Sequence, residues 1–531
     1  MRTSVTPDGF VYGIHKPSYT VHNLRTLTRY RQLGSDETGT PVTNEGNYPD
    51  GNLHVAQADW IYEIANPFPF RGATFIGKSW AEKNADNPER IRLPEKPETS
   101  LTAVLKKHGS PELLEQLPRP LLLSLATAST DPNDLIRLAR LCCRFDQDEN
   151  GTITGLRYIR QQGTVRPEIS DHALFEAVAN NPALPDNYKI AMVIMPGAQG
   201  ASEIVGDYHH APASHIYEYM RRNSYIGGGH YAANMSEQSI RYHIDDLNEK
   251  ELFGLRHLYY QRTYIRLAAL CNIEIKNRFH TPEELETLRT QIIQNQDQTN
   301  DTYAATLWGW NFGFDYASSG YRLHASHQQV HQQYALIPTT IEGYRNGCCT
   351  TEVSPFAAGD LIAEVICSYH DQYGRDFFTD YLAAIRANRR MDNRHGAAHD
   401  LVIWEDKNVM LFVPKAQTSQ WELQIMTKPK EAGFWPGNII ETDSDTRTSL
   451  DRALLKAQQC LAARGARMVT SIEYSKRLTA ERTNQPLIYC LMVRLPESPG
   501  AFSETQHRFI NGHFPEDFAA ICKKELNHNR E

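Results

Sequence analysis

Histidine and glutamine alternate along residues 327–331, where His327, Gln329 and His331 are each separated by one residue. This period of two constrains the fold more than any other feature. Strand residues two apart project to one face, whereas on a helix they diverge by about 200°. The spacing predicts an extended strand through this region, with the three side chains brought to one site. Just upstream stand an Asn-Phe-Gly turn (Asn311, Gly313), the small residues Ser318, Ser319 and Gly320, and His324. A neutral imidazole beside an amide suits attack on phosphorus, with the amide steadying a phosphate oxygen. The plainer alternative is a His/Gln-rich edge strand with no chemistry.

The flanking sequence supplies candidate partners for that strand. The apolar run Ile190–Pro196 reads as a buried strand, and residues 243–270 carry apolar residues at helical spacing. The strand order predicts that the His327 strand and the Ile190–Pro196 strand share an antiparallel sheet. Residues 400–429 read as two or three strands. Thr446–Gly465 reads as an amphipathic helix closed by glycine, and two more strands follow before a closing helix. The first 100 residues are dominated by turn signals such as NEGNYPDGN. There Trp60, Tyr62, Phe68 and Phe70 read as packing residues. Asp146, Asp148, Asn150 and Gly151 imitate the start of a calcium loop. Arg157 occupies the position that needs a bidentate glutamate, so Asn150-Gly151 reads instead as a hairpin turn.

A net charge of -8 argues against broad nucleic-acid binding. No apolar stretch is long enough to span a bilayer, and the N-terminus has no signal-peptide core. Nine cysteines, including the adjacent pairs Cys142-Cys143 and Cys348-Cys349, read as reduced thiols of a cytoplasmic protein. Walker-type, Rossmann and nucleophile-elbow motifs are absent. Pro196–Ile204 is Gly/Ala-rich and reads as a strand exit or a phosphate cradle.

The 311–329 segment resembles the active-site strand of galactose-1-phosphate uridylyltransferase and its relatives in the histidine-triad superfamily. Asn311-Phe312-Gly313 matches the opening of their motif, Ser319-Gly320 stands near their Gly/Ser pair, and His327-Gln328-Gln329 matches their His-x-Gln end. Ala325 stands where the family has its first histidine, and His324 is one place off. The resemblance implies an α+β fold of two histidine-triad-like halves, each an antiparallel sheet with flanking helices, plus an irregular N-terminal arm. The implied division is 1–100 for the arm, 101–345 for the first half with the motif, 346–399 for a helical connector, and 400–531 for a degenerate second half.

The activity so implied is nucleotidyl transfer of the hexose-1-phosphate uridylyltransferase type. A nucleoside monophosphate passes between a nucleotide sugar and a sugar 1-phosphate through a covalent histidine. His327 is then the nucleophile and Gln329 the phosphate-binding amide. Asn311, Gly313, Ser318, Ser319, His324 and His331 form the substrate site. A second register takes His327, Gln329 and His331 as the triad and puts glutamine at the nucleophile position. Alternatives on the same scaffold are a phosphorylase or hydrolase of dinucleoside polyphosphates or nucleotide sugars, and a non-catalytic nucleotide-binding relative. The expected partners are a nucleotide or nucleotide-sugar substrate and a second copy in a homodimer, with neither nucleic acid nor membrane.

No cofactor is expected. Zinc on two of His209, His210, His215 and His230 with His324 is the competing reading. Leu487 and Tyr489 stand where the family's second half has paired histidines, and Glu473 where a further one is expected. Lys415, Gln417, Gln424 and Lys428 are candidate substrate contacts of the second half, or solvated strand residues. Trp421-Glu422-Leu423 resembles the family's Trp-Pro-x-Glu segment.

Overall fold

The computed structural model describes residues 3–16, 19–21, 31–44, 53–55, 58–93, 98–161, 164–179, 181, 183–193, 247–276, 278–295, 303–313, 331–430, 433–466, 468–478, 484–494 and 501–528. The fold is α+β, centred on a seven-stranded antiparallel sheet. In chain order, the elements of an N-terminal sheet come first: β1 (Gly13–His15), β2 (Ile61–Ala65) and β3 (Ala73–Gly77). The large sheet is built from β4 (Tyr303–Gly313), β5 (His331–Pro338), β6 (Val402–Glu405), β7 (Val409–Phe412), β8 (Leu423–Thr427), β9 (Met468–Tyr474) and β10 (Ile488–Val493). Its spatial order is β5-β4-β9-β10-β8-β7-β6. Strands from residues 303–338 and from residues 402–493 therefore share one sheet.

Both faces of this sheet are covered, so its central strands are buried without alternation. All four residues of β7 (VMLF) and all five of β8 (LQIMT) are buried. Helices α1 (Glu249–Leu270), α2 (Pro282–Gln294) and α5 (Ser444–Ala463) lie on one face with α6 (Pro515–His528). Val409, Leu411, Leu423, Ile425, Tyr489 and Leu491 point into that layer, against Leu255, Leu450, Leu454 and Phe518. Met410, Phe412, Met426, Ile488 and Cys490 point the other way, toward α3 (Ala358–Tyr373) and α4 (Phe377–Arg386). Burying one such side chain contributes about 1.5–3 kcal/mol.

Local chemistry sets the helix ends. At α2 the Thr281 hydroxyl accepts from the Glu284 N–H at 3.3 Å. The Glu284 carboxylate accepts from the Thr281 N–H at 2.9 Å, and Pro282 fills the first turn. At α5 Asp443 accepts from the Thr446 N–H at 2.9 Å. Gly359 of α3 passes so close to β9 that a Cβ there would lie 1.8 Å from the Ser475 carbonyl oxygen.

The apolar run 190–193 is not a strand. It forms the last turn of a helix, Asp186–Val193. Ala191 and Met192 pack with Val178, Leu184 and Tyr188 in a separate core built from residues 114–192. A short apolar run satisfies a buried strand or a buried helix equally, and Pro185 before Asp186 opens a helix here. Residues 190–193 therefore take no place in the large sheet, and residues 194–196 of the expected strand lie outside the described residues. The Asn-Phe-Gly turn is also corrected. Asn311, Phe312 and Gly313 are extended in β4, paired with Thr470, Val469 and Met468 of β9.

The Asn150-Gly151 reading holds. Phe145–Gln147 and Ile153–Leu156 form a hairpin, with Gly151 at φ 80°. In the N-terminal region Tyr62 and Phe68 are buried, as expected of packing residues, whereas Trp60 is exposed. That region is more regular than its turn signals suggest. β2 and β3 pair antiparallel, and β3 pairs in parallel with β11 (Arg508–Asn511).

Candidate active site

β4 and β5 run side by side at the edge of the large sheet, in a register that sets Asn311 opposite His331 and Trp310 opposite Gln332. The proposed catalytic segment leaves from the end of β4 and returns at the start of β5. Ser318, Ser319, His324, His327 and Gln329 lie outside the described residues, as do His209, His210, His215 and His230. The extended backbone expected around the motif is present from His331 onward.

On its other side Asn311 pairs with Thr470 of β9, and the Thr470 hydroxyl donates to the Asn311 amide oxygen at 2.6 Å. Thr470 in turn is opposite Met492 of β10. Alternation along β9 puts Thr470, Ile472 and Tyr474 on one face and Val469, Ser471 and Glu473 on the other. Asn311, Thr470, Ile472 and Met492 are half-buried, so this strip of the sheet is partly open.

The strip ends on a buried polar cluster. Arg71 donates to the Glu422 carboxylate at 2.5 Å and to the Thr418 hydroxyl at 3.0 Å, and its guanidinium lies 5.9 Å from the Tyr474 ring centroid. Glu422 also accepts from the Thr418 N–H at 2.7 Å and from the Gln424 amide at 2.8 Å. The Thr418 hydroxyl lies 3.5 Å from the Met492 sulfur. Burial opposes the charge on Arg71, but the Glu422 carboxylate paired with it holds the proton, so the guanidinium stays charged. Burial pushes the Cys490 thiol up to about 12, which leaves it neutral and inert as a nucleophile. Both hydroxyls of the strip are spent on protein acceptors, Thr470 on Asn311 and Thr418 on Glu422, and Arg71 is neutralised by Glu422, which leaves the Asn311 NH₂ group as the donor the strip can offer.

The opposite face is closed and structural. Arg256 of α1 is fully buried. It donates to Asp451 at 3.0 Å, to the Tyr489 hydroxyl at 2.7 Å and to the Tyr260 hydroxyl at 2.8 Å. Glu473 accepts from Tyr259 at 2.8 Å, from Thr306 at 3.2 Å and from Tyr489. Burial raises Glu473 above the usual carboxylate range and Asp451 to about 6. Glu473 and Tyr489 are thus hydrogen-bonded to each other in the interior. Among the described residues no group of three His, Cys, Asp or Glu side chains is placed to hold a metal ion.

Three of the second-half contacts read from sequence are interior residues, and the fourth, Lys428, is half-buried. Lys415 is buried and paired with Glu516; Gln417 and Gln424 are buried; Lys428 donates to Glu405 at 2.8 Å. Sequence reasoning missed Thr470, Thr418 and Arg71. Thr470 and Thr418 are ordinary strand and loop residues until the register is known. Arg71 sits in an aromatic stretch, NPFPFRG, that reads as packing.

All nine cysteines are free, six of them buried. No helix among the described residues is long and apolar enough to cross a membrane. No protein-family model matches this chain, and no curated protein matches it. Solved structures do. An ADP-glucose phosphorylase from Arabidopsis thaliana with bound ADP-glucose is 16% identical, with a TM-score of 0.32 over 48% of this chain and 67% of that one. A uridylyltransferase is 13% identical, with a TM-score of 0.32 over 49% of this chain and 70% of that one. A GalT-like protein from Arabidopsis thaliana is 15% identical, with a TM-score of 0.31 over 46% of this chain and 70% of that one.

Proposed function

We propose that this protein is a cytoplasmic nucleotidyltransferase that moves a nucleoside monophosphate between a nucleotide sugar and a sugar 1-phosphate. His327 attacks the α-phosphorus, the bond to the departing phosphate breaks, and a covalent nucleotidyl-histidine forms. An acceptor phosphate then attacks the same phosphorus and frees the imidazole. Gln329 steadies the phosphate oxygens, with Asn311, Gly313, Ser318, Ser319, His324 and His331 around the substrate. Preorganised donors of this kind are a large part of the catalysis of such reactions.

The observation that carries this reading is the ladder at the sheet edge. Asn311, which opens the motif, and His331, just past its end, face each other across β4 and β5. The two ends of the motif are thereby held together beside the half-open strip of Asn311, Thr470 and Met492. The division into an arm (1–100), a first half (101–345), a connector (346–399) and a degenerate second half (400–531) belongs to the same proposal, as does a homodimer that binds no nucleic acid. The two halves then contribute strands to one shared sheet.

The test is incubation with a panel of nucleotide sugars radiolabelled in the α-phosphate. The expected result is covalent label that is stable to base and labile to acid, as a phosphoramidate is, and that is absent from His327→Gly. Failure of every nucleotide to label the wild-type protein would overturn the proposal. Label released by water or inorganic phosphate, but never by a sugar phosphate, would replace it with the hydrolase or phosphorylase reading.

A further inference from the structure

The triplet His327-Gln328-Gln329 is followed, after Val330, by a second copy of itself, His331-Gln332-Gln333. The first copy holds the proposed nucleophile and its amide. The second opens β5, and its two glutamines serve different ends. Gln332 is turned to the closed layer, where it accepts from the Trp308 indole N–H at 2.9 Å and donates to the Leu255 carbonyl at 3.3 Å. Gln333, the next residue along the strand, is turned to the other face. Its side chain is exposed and has no hydrogen-bond partner among the described residues.

The ladder places Gln333 in a defined row. It stands opposite Gly309 of β4, and Gly309 stands opposite Ile472 of β9. The row on one side holds Asn311, Thr470 and Met492, and the row on the other holds Leu307 and Ala335. Helices α3 and α4 cover this face of the sheet over β7, β8 and β10. Leu307 and Ile472 are only partly buried, Ala335 is exposed, and none of the three belongs to either packed layer. Gly309 carries no side chain. The row is therefore a flat apolar floor with one free amide at its side, and none of the residues in these three rows is charged.

That combination selects among the parts of a nucleotide sugar. A hexose brings a ring of hydroxyls, each of which asks for a partner, and the floor has one amide to give. A nucleobase is a planar ring that needs an apolar surface beneath it and hydrogen bonds only at its edge. A primary amide presents a donor and an acceptor in one plane, which complements the neighbouring donor and acceptor on a base edge. The spacing agrees. Gly309 is two residues from Asn311 along β4, about 7 Å, on the scale of the separation between a 5′-phosphate and its base.

We propose that Gly309 is the floor of a nucleobase subsite and that Gln333 reads the edge of the base and sets which base is preferred. This placement rests on the nucleotidyl-transfer reading, which puts a phosphate beside Asn311, and adds to it where the base lies.

Isothermal titration calorimetry with UMP, AMP, GMP, CMP and ribose 5-phosphate tests it without requiring turnover. Wild-type protein should prefer one base, and should bind that nucleotide more tightly than ribose 5-phosphate. Gln333→Leu should weaken the preferred nucleotide about tenfold, bring the four nucleotides to within about threefold of one another, and leave ribose 5-phosphate unchanged. Gln333 is exposed, so its replacement leaves the packing intact. A base preference that survives in Gln333→Leu, an equal loss for ribose 5-phosphate, or four nucleotides bound alike by the wild type would each overturn the subsite. Covalent labelling by nucleotide sugars, with base preference unchanged in Gln333→Leu, would remove the subsite and keep nucleotidyl transfer. Base-selective binding that Gln333→Leu abolishes, without any covalent label, would keep the subsite and remove nucleotidyl transfer. Binding of none of the four nucleotides would remove both.

Discussion

The Thr470 hydroxyl donates to the Asn311 amide oxygen at 2.6 Å, and the same two residues face each other across the β4–β9 ladder. This bond fixes which end of the amide is spent, and turns the NH₂ group into the donor available to a ligand. Thr470→Val should lower single-turnover nucleotidyl transfer about tenfold, the scale of one oriented hydrogen bond, while Thr470→Ser stays near wild type. An unchanged rate in Thr470→Val would remove Asn311 from the site.

The nucleophile assignment orders three variants. His327→Gly should abolish covalent labelling, with a loss of about 10³-fold or more in rate. Gln329→Ala should cost about 10²–10³-fold, as loss of one oxyanion donor does. His331→Ala should be milder. Equal losses in His327→Gly and His331→Ala would favour the other register.

How much of this was legible in the sequence depends on the distance over which each signal acts. The hairpin at Asn150-Gly151, the helices around 249–270 and 444–463 and the strands from 402 to 493 announce themselves through local turn chemistry and period. The run at 190–193 misleads because four apolar residues fit a helix turn as well as a strand. The extended state of Asn311 is set by β9, more than 150 residues away, and Thr470, Thr418 and Arg71 become neighbours only through that pairing. Strand register is long-range information, and a local pattern does not carry it.

Arg256 is a stability residue. It is fully buried between four aromatic rings, 4.5 Å from the Trp308 ring centroid and 4.9 Å from that of Tyr489. Arg256→Met leaves Asp451 without its cation and should lower unfolding free energy by about 3–5 kcal/mol in urea titration. Pairing it with Asp451→Leu should recover a large part of that loss. A loss in the double variant as large as in the single one would contradict this account.

Acid should destabilise the protein through His513. This residue is buried against Phe518, and burial lowers it to about 4 from an ordinary 6.5. Between those values the unfolded chain holds the proton and the folded one does not. The His513 contribution is thus fully present above pH 6.5 and declines as pH falls toward 4, by about 3 kcal/mol. Asp451, raised to about 6, acts in the opposite sense over the same range, so the comparison to make is wild type against His513→Leu. The gap between their urea midpoints should narrow from pH 7 to pH 4.5; a constant gap would show that His513 does not titrate in this way.

The parallel pairing of β3 with β11 has a consequence for how the chain is made. Phe70 and His507, which meet where those strands begin, are 437 positions apart. A ribosome delivers β3 long before β11, and until then one edge of β3 has its backbone groups without their final strand. Such an edge is open to wrong partners, and closing so long a loop is slow. A chaperone that shields residues 73–77 during translation would therefore act where the nascent protein is most exposed to misassembly.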